Sequence, residues 1–369
     1  MSASVPVSKP PDGSGNRTRT GMLVMATLGF ALNFWAWALL SPLAPAFKEQ
    51  LSLSAFQQAL IVAVPVIVGS LGRIPVGALT DKHGARIMFP IVSLLTVIAV
   101  LYIGLFGQKS LTTLLVGGFF LGIGGTAFAV GVPYVNGWFP PERRGLAIGL
   151  FGVGMGGTAI SGLTTVNLAR SWGETAPFIA AAVVLVVYAA LAALIMREPP
   201  SWAPSTVSVA KRLTRTMKLS VTWYASALYA VTFGGFVAFS VYLVAYLESG
   251  YGLDRADAAY RLAGFVLVAV ALRPVGGWLS DKIGPSRVLA AVFVVVGVAA
   301  AVQSTTPELM PVGTTSFLVM AGALGAGAGA TFSFVAIMAP SNAVGAVTGF
   351  VGAAGGLGGF VPPLIMGAA

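Results

Sequence analysis

Two arginines, Arg73 and Arg273, are the charged side chains that fall deep inside apolar stretches of this chain, and no carboxylate falls there to neutralise them. A charge at the centre of a bilayer costs at least ~2.5–3.5 kcal/mol on insertion scales, and such residues face the bundle interior and mark a substrate path. Guanidinium keeps its proton in practice, and its planar fork donates paired hydrogen bonds to an oxyanion. The chemistry open to this pair is therefore the binding of a small anion. Arginines can also snorkel to an interface or cap helix carbonyls, but the matched setting of the two argues for a shared task.

That setting is a repeat with an offset of 200 residues. RIPVGALTDKHGAR follows from Arg73 and RPVGGWLSDKIGPSR from Arg273, so Gly77/Gly277, Leu79/Leu279, Asp81/Asp281, Lys82/Lys282 and Gly84/Gly284 coincide. GLAIGLFGVGMGG and GAVTGFVGAAGGLGG align Gly145/Gly345, Gly149/Gly349, Gly152/Gly352 and Gly156/Gly356 at the same offset. Each arginine precedes its loop aspartate by eight residues, about 12 Å of helix at ~1.5 Å per residue. In a hydrocarbon core ~30 Å thick both lie close to the midplane. Parallel repeats are related by an axis along the membrane normal, which sets the two guanidinium groups on opposite walls of one cavity.

The elements that must hold them are membrane helices. With 57% hydrophobic and 9% charged residues among 369, the apolar surface exceeds what one soluble core can hide, and the chain reads as an all-α polytopic membrane protein. Apolar stretches run at roughly 21–46, 56–80, 87–107, 111–138, 145–169, 176–196, 219–247, 260–280, 286–304, 313–338 and 343–367, each near the ~20 residues that cross a bilayer. The expected organisation is a disordered cytoplasmic tail over 1–20, a six-helix half over 21–196, a basic cytoplasmic linker over 197–218 and a second half over 219–369. By the offset, the sixth span has its counterpart at about 376–396, past Ala369, so eleven spans are expected with the twelfth missing.

Of the basic residues outside the spans, fourteen fall on the side of the N-terminus and the linker and five on the other. The positive-inside rule then makes the N-terminus cytoplasmic in a multi-pass protein of the inner cell membrane. The net charge of +10 is spread thinly over short loops, which argues for topology rather than for nucleic acid. Zero cysteines and one histidine, His83, exclude thiol catalysis and Cys-ligated zinc, and neither a metal site nor a cofactor is expected. No nucleophile and base pair stands out, so an enzyme is not expected.

GALTDKHGAR and its echo GGWLSDKIGPSR resemble the signature loops of the major facilitator superfamily. Within it, the two arginines and the runs GVGMGGTAISG and GAAGGLGGFVPPLIMG resemble the nitrate/nitrite porters of the NarK type, over essentially the whole chain. The resemblance implies the major facilitator fold and a nitrate or nitrite substrate held by Arg73 and Arg273. It further implies contacts from Tyr229 and Phe233 in the seventh span and Phe128 in the fourth. Phe34, Trp35 and Trp37 in the first span carry a weaker version of the same expectation. The family often has Asn in the fifth-span glycine run, where this chain has Met155.

The glycine runs have two compatible uses, close helix packing and exposure of backbone to the anion. Gly145, Gly149, Gly345 and Gly349 are assigned to packing, and Gly154, Gly157, Gly355, Gly356 and Gly358 to the neighbourhood of the substrate. Asp81 and Asp281, with Arg86 and Arg287, are expected to gate the cytoplasmic end. All eleven carboxylates lie in tails, loops or span ends, so no proton-relay carboxylate is expected in mid-membrane. That favours nitrate/nitrite antiport by a chain acting as a monomer. Proton-coupled nitrate uptake, transport of another small anion such as a carboxylate, and a non-transporting sensor or remnant stay open as alternatives.

Overall fold

The computed structural model describes residues 14–200 and 202–366, which fold into helices joined by short turns. The first half comprises α1 (Asn16–Gln50), α2 (Ala55–His83), α3 (Ala85–Leu105), α4 (Leu111–Trp138), α5 (Pro141–Trp172) and α6 (Ala176–Ile195). The second comprises α7 (Ser220–Tyr251), α8 (Arg255–Ile283), α9 (Pro285–Ser304), α10 (Thr314–Met338) and α11 (Val344–Met366). Among the described residues ten helices are long and apolar enough to cross a membrane, and the apolar part of the eleventh is the shorter Val344–Gly359.

Local chemistry sets the boundaries. Ser54 caps α2 by accepting from the Gln57 backbone N–H while the Gln57 side chain accepts from the Ser54 N–H at 2.8 Å. Gly84 and Gly284, matched in the repeat, stand at φ +83° and +88° between α2 and α3 and between α8 and α9. Only glycine adopts that left-handed conformation freely, which is why both loop copies need it. Helices α4 and α5 tighten into 3-10 geometry at Gly122–Thr126 and Val153–Gly156, inside their glycine runs.

The halves meet along two helix pairs that are copies of each other, α2 with α11 and α5 with α8. Gly77 faces the Gly345 carbonyl and Gly277 the Gly145 carbonyl so closely that neither position has room for a Cβ. An apolar core containing Phe30, Phe128, Phe151, Tyr229 and Phe332 spans both halves, with smaller clusters inside each. Outward-facing Ile98, Leu163, Leu194, Leu267 and Val294 are 65–80% exposed, as expected of lipid-facing positions rather than of a soluble surface.

One feature adds to the sequence expectation and one boundary differs from it. The linker holds an amphipathic helix, Val209–Met217, which buries Arg212 and Thr216. At the other extreme residues 1–13 lie outside the described residues, while helix already runs from Ser14, so the expected tail boundary at 20 falls inside a helix.

Candidate functional site

Arg73 on α2 and Arg273 on α8 are both buried, at 2% and 3% exposure. Arg73 donates from Nε to the Gly125 carbonyl at 3.0 Å and from Nη1 to the Gly352 carbonyl of the opposite half at 2.8 Å. Arg273 donates from Nη2 to the Tyr229 hydroxyl at 3.1 Å, and its Nη1 lies 2.8 Å from Met155 Sδ, again across the halves. A thioether is a weak acceptor, so this donor is poorly satisfied. Neither guanidinium meets a carboxylate: the ion pairs among the described residues are Arg212–Asp81 and Arg261–Asp257.

One ring joins the two cations. The Phe128 centroid lies 5.8 Å from the Arg73 guanidinium carbon and 5.5 Å from that of Arg273. Phe34 backs Arg73 at 5.9 Å and Phe233 backs Arg273 at 6.0 Å. These faces offset part of the cost of burying charge while keeping water away from it. Tyr229 stacks on Phe233, 4.9 Å between centroids, and meets Phe332 edge-on at 4.6 Å. Phe30, Phe151 and Phe332 belong to this cluster although nothing in the sequence reading singles them out. Phe30 and Phe34 do match Tyr229 and Phe233 at an offset of 199, a signal the glycine and loop repeats overshadow.

The repeated glycines make room for the arginines. A Cβ at Gly152 would run into the Arg273 side chain, and one at Gly352 into that of Arg73. Gly145, Gly149, Gly345 and Gly349 pack against backbone of the opposite half, at Gly277, Pro274, Gly77 and Arg73 respectively. Of the glycines assigned to the substrate neighbourhood, Gly355 lies against Tyr229 and Phe233, and Gly356 against Ser70. The other three are used differently, because close helix packing claims them: Gly154 and Gly157 admit α1 at Phe30 and Ala31, and Gly358 admits α7 at Ala230.

A cavity of about 360 Å³ reaches Arg73, Met155 and Phe233 from Ser41, Val62 and Ser240, at the end of the bundle opposite the loops at 84 and 284. The other end is shut. Asp81 accepts from the backbone N–H groups of Gly345 and Ala346, both at 3.0 Å, and Asp281 from those of Gly145 and Leu146, both at 2.8 Å. Each carboxylate thus satisfies free N–H groups at the start of a helix in the opposite half, where the helix dipole also favours a negative charge.

Arg86 and Arg287, grouped with these aspartates from the sequence, stand apart from them. Both are exposed and bond within their own half, Arg86 to the Ala193 carbonyl and Arg287 to that of Ile283. The cation that does join a loop aspartate is Arg212 of the linker helix, which donates to Asp81 at 2.9 Å and also to the Asn342 carbonyl. Its place on an amphipathic helix was the available signal, hidden among the linker's other basic residues. Glu198, just beyond α6, accepts from the Arg86 backbone N–H at 2.7 Å, and burial pushes its carboxyl above the usual carboxylate range.

Known proteins resemble this chain in architecture and in sequence. Residues 26–363 match the model of the Major Facilitator Superfamily. The probable nitrate/nitrite transporter NarK2 of Mycobacterium tuberculosis is 45% identical over 95% of this chain and 89% of its own. The nitrite extrusion protein of Bacillus subtilis is 37% identical over 93% and 86%. Among solved structures, the human organic anion transporter MFSD10 superposes with a TM-score of 0.79 at 16% identity, covering 97% of this chain and 93% of that one. FucP in the outward conformation gives 0.76 at 19%, covering 95% and 92%. A membrane-spanning two-half bundle with these relatives is a transporter and not an enzyme: the chain belongs to the major facilitator superfamily and, within it, to the family of NarK-type nitrate/nitrite transporters.

Proposed function

We propose that this protein exchanges nitrate for nitrite across the inner cell membrane, with the anion held between Arg73 and Arg273. The observation that carries this reading is the pair of buried guanidinium groups that share the Phe128 ring, at 5.8 and 5.5 Å, with no carboxylate among the described residues to neutralise either. Two such charges ~8 Å apart repel by ~2 kcal/mol at an effective dielectric of 20. An anion between them removes that term and draws the halves together. The aromatic lining suits a small, weakly hydrated ion over a doubly charged one such as phosphate.

On this reading the basic end, bearing the N-terminus and the linker, is cytoplasmic by the positive-inside rule. The conformation described is then shut to the cytoplasm and leads from the cavity to the outside. Reorientation needs the anion in place in both directions, because the empty site carries uncompensated repulsion. No carboxylate among the described residues pairs with either arginine to exchange a proton, which favours antiport over proton symport.

Nitrate and nitrite counterflow in proteoliposomes tests the proposal. Uptake of labelled nitrate is expected only with nitrite or nitrate inside, and its loss is expected in Arg73→Lys, since a point charge cannot make the paired contact. Rapid nitrite efflux into anion-free buffer would refute exchange, and uptake driven by an imposed proton gradient alone would replace it with symport.

A further inference from the structure

The two arginines differ in their partners: Arg73 donates to carbonyls, and Arg273 alone donates to a hydroxyl. Arg273 has Tyr229, whose oxygen accepts from Nη2 and whose own O–H proton is left to donate onward. The counterpart of Tyr229 in the first half is Phe30, which has no hydroxyl, so Arg73 has no equivalent partner from α1. One turn before Arg73 on the same face of α2 stands Ser70, whose counterpart in the second half is Val270. The hydroxyls at corresponding depths thus stand on different helices, Tyr229 on α7 beside Arg273 and Ser70 on α2 one turn from Arg73.

Ser70 is 2% exposed and lines the cavity with Arg73, on the side of the cavity mouth. Its hydroxyl makes no hydrogen bond among the described residues, whereas buried serines and threonines such as Thr80, Ser280 and Thr232 return theirs to a carbonyl one turn back. The neighbouring Gly356 has no side chain, and a Cβ there would strike the Ser70 oxygen. Glycine at that position therefore keeps the hydroxyl reachable from the cavity. Facing the cavity with no bond to the protein among the described residues, the hydroxyl is left to donate to a small oxyanion bound at Arg73.

We infer that Ser70 is a second hydroxyl donor to the transported anion, acting with Arg73 as Tyr229 acts with Arg273. The inference rests on the proposed anion site between the arginines. Ser70 bonds one oxygen of nitrate or nitrite while Arg73 bonds another, so that the anion entering along the cavity meets a neutral donor before it meets the charge. Because the contact is a single hydrogen bond to a charged group, its loss weakens binding without blocking reorientation.

The test compares Ser70→Thr with Ser70→Val, which share a shape and differ by the hydroxyl, alongside Ser70→Ala. Two readouts are taken on purified protein: the half-saturating concentration for nitrate/nitrite exchange, and that for stabilisation of the detergent-solubilised protein by nitrate against heat. The Val and Ala variants are expected to raise both about tenfold, equivalent to ~1.4 kcal/mol, with the anion-free melting temperature showing that the fold is kept. The Thr variant is expected to stay within about twofold of wild type. Half-saturation in the Val and Ala variants equal to that of the Thr variant would overturn the role of Ser70 while leaving the anion site standing. A wild-type protein that nitrate and nitrite neither stabilise nor drive into exchange would overturn the site and the Ser70 contact together.

Discussion

Replacing Asp81 by Asn should open the sealed end of the transporter, and by more than the matching change at Asp281. The Asp81 carboxylate accepts from two helix-terminal N–H groups and from Arg212, and the two side chains of that ion pair are only 8% and 7% exposed. Solvent screens such a pair little, and breaking a buried pair by removing one partner costs ~3–5 kcal/mol because the other charge is left buried. Asp281 bonds two N–H groups at the same kind of helix start, and no cation pairs with it among the described residues. Its loss removes charge-assisted hydrogen bonds and a helix-dipole term, roughly 1–2 kcal/mol after the Asn oxygen retains one contact.

The difference of about 2 kcal/mol corresponds to roughly 30-fold in the population opened at that end. The chain has no cysteine, so replacing Thr348, fully buried one turn into α11, by Cys gives a unique thiol that reagent reaches only when the packing around the start of α11 opens. In this Thr348→Cys background the labelling rate in detergent should rise by ~300-fold on Asp81→Asn and by about tenfold on Asp281→Asn. Equal rates in Asp81→Asn and the parent, or a larger effect at Asp281, would refute the assignment of Arg212 and Asp81 as the stronger latch.

Two further outcomes follow from packing and burial. Gly77→Leu should abolish exchange and, in the Thr348→Cys background, leave the thiol labelled as fast as in the opened variant, because the leucine side chain meets the Gly345 backbone; Gly297→Leu, where a Cβ meets nothing, should be silent in the same assays. The carboxyl of Glu198 is raised by burial, so its protonated form is the one folding favours. The stability it contributes is full below its unfolded value and lost as pH rises through its raised one. Glu198→Gln should remove that part of the slope in a melting-temperature series against pH, and an unchanged slope would disprove the linkage.

What the sequence determined follows from periodicity and composition. Hydrophobic runs near bilayer length set the helices, since in hydrocarbon the backbone must satisfy itself locally. The 200-residue offset set the two halves and the matched places of Arg73 and Arg273 on α2 and α8, because both follow from counting along helices. Only the tertiary structure decided which glycines admit another helix and which face the arginines: Gly154 and Gly355 sit in similar runs, yet one packs on α1 and the other on Tyr229. It also decided that Arg212, and neither Arg86 nor Arg287, reaches a loop aspartate, since basic residues in a loop look alike until burial distinguishes them. Ser70 shows the reason most directly. Its place one turn from Arg73 is written in the chain, but whether a hydroxyl turns back to its own helix or is left for a ligand depends on what the facing helix, here at Gly356, leaves room for.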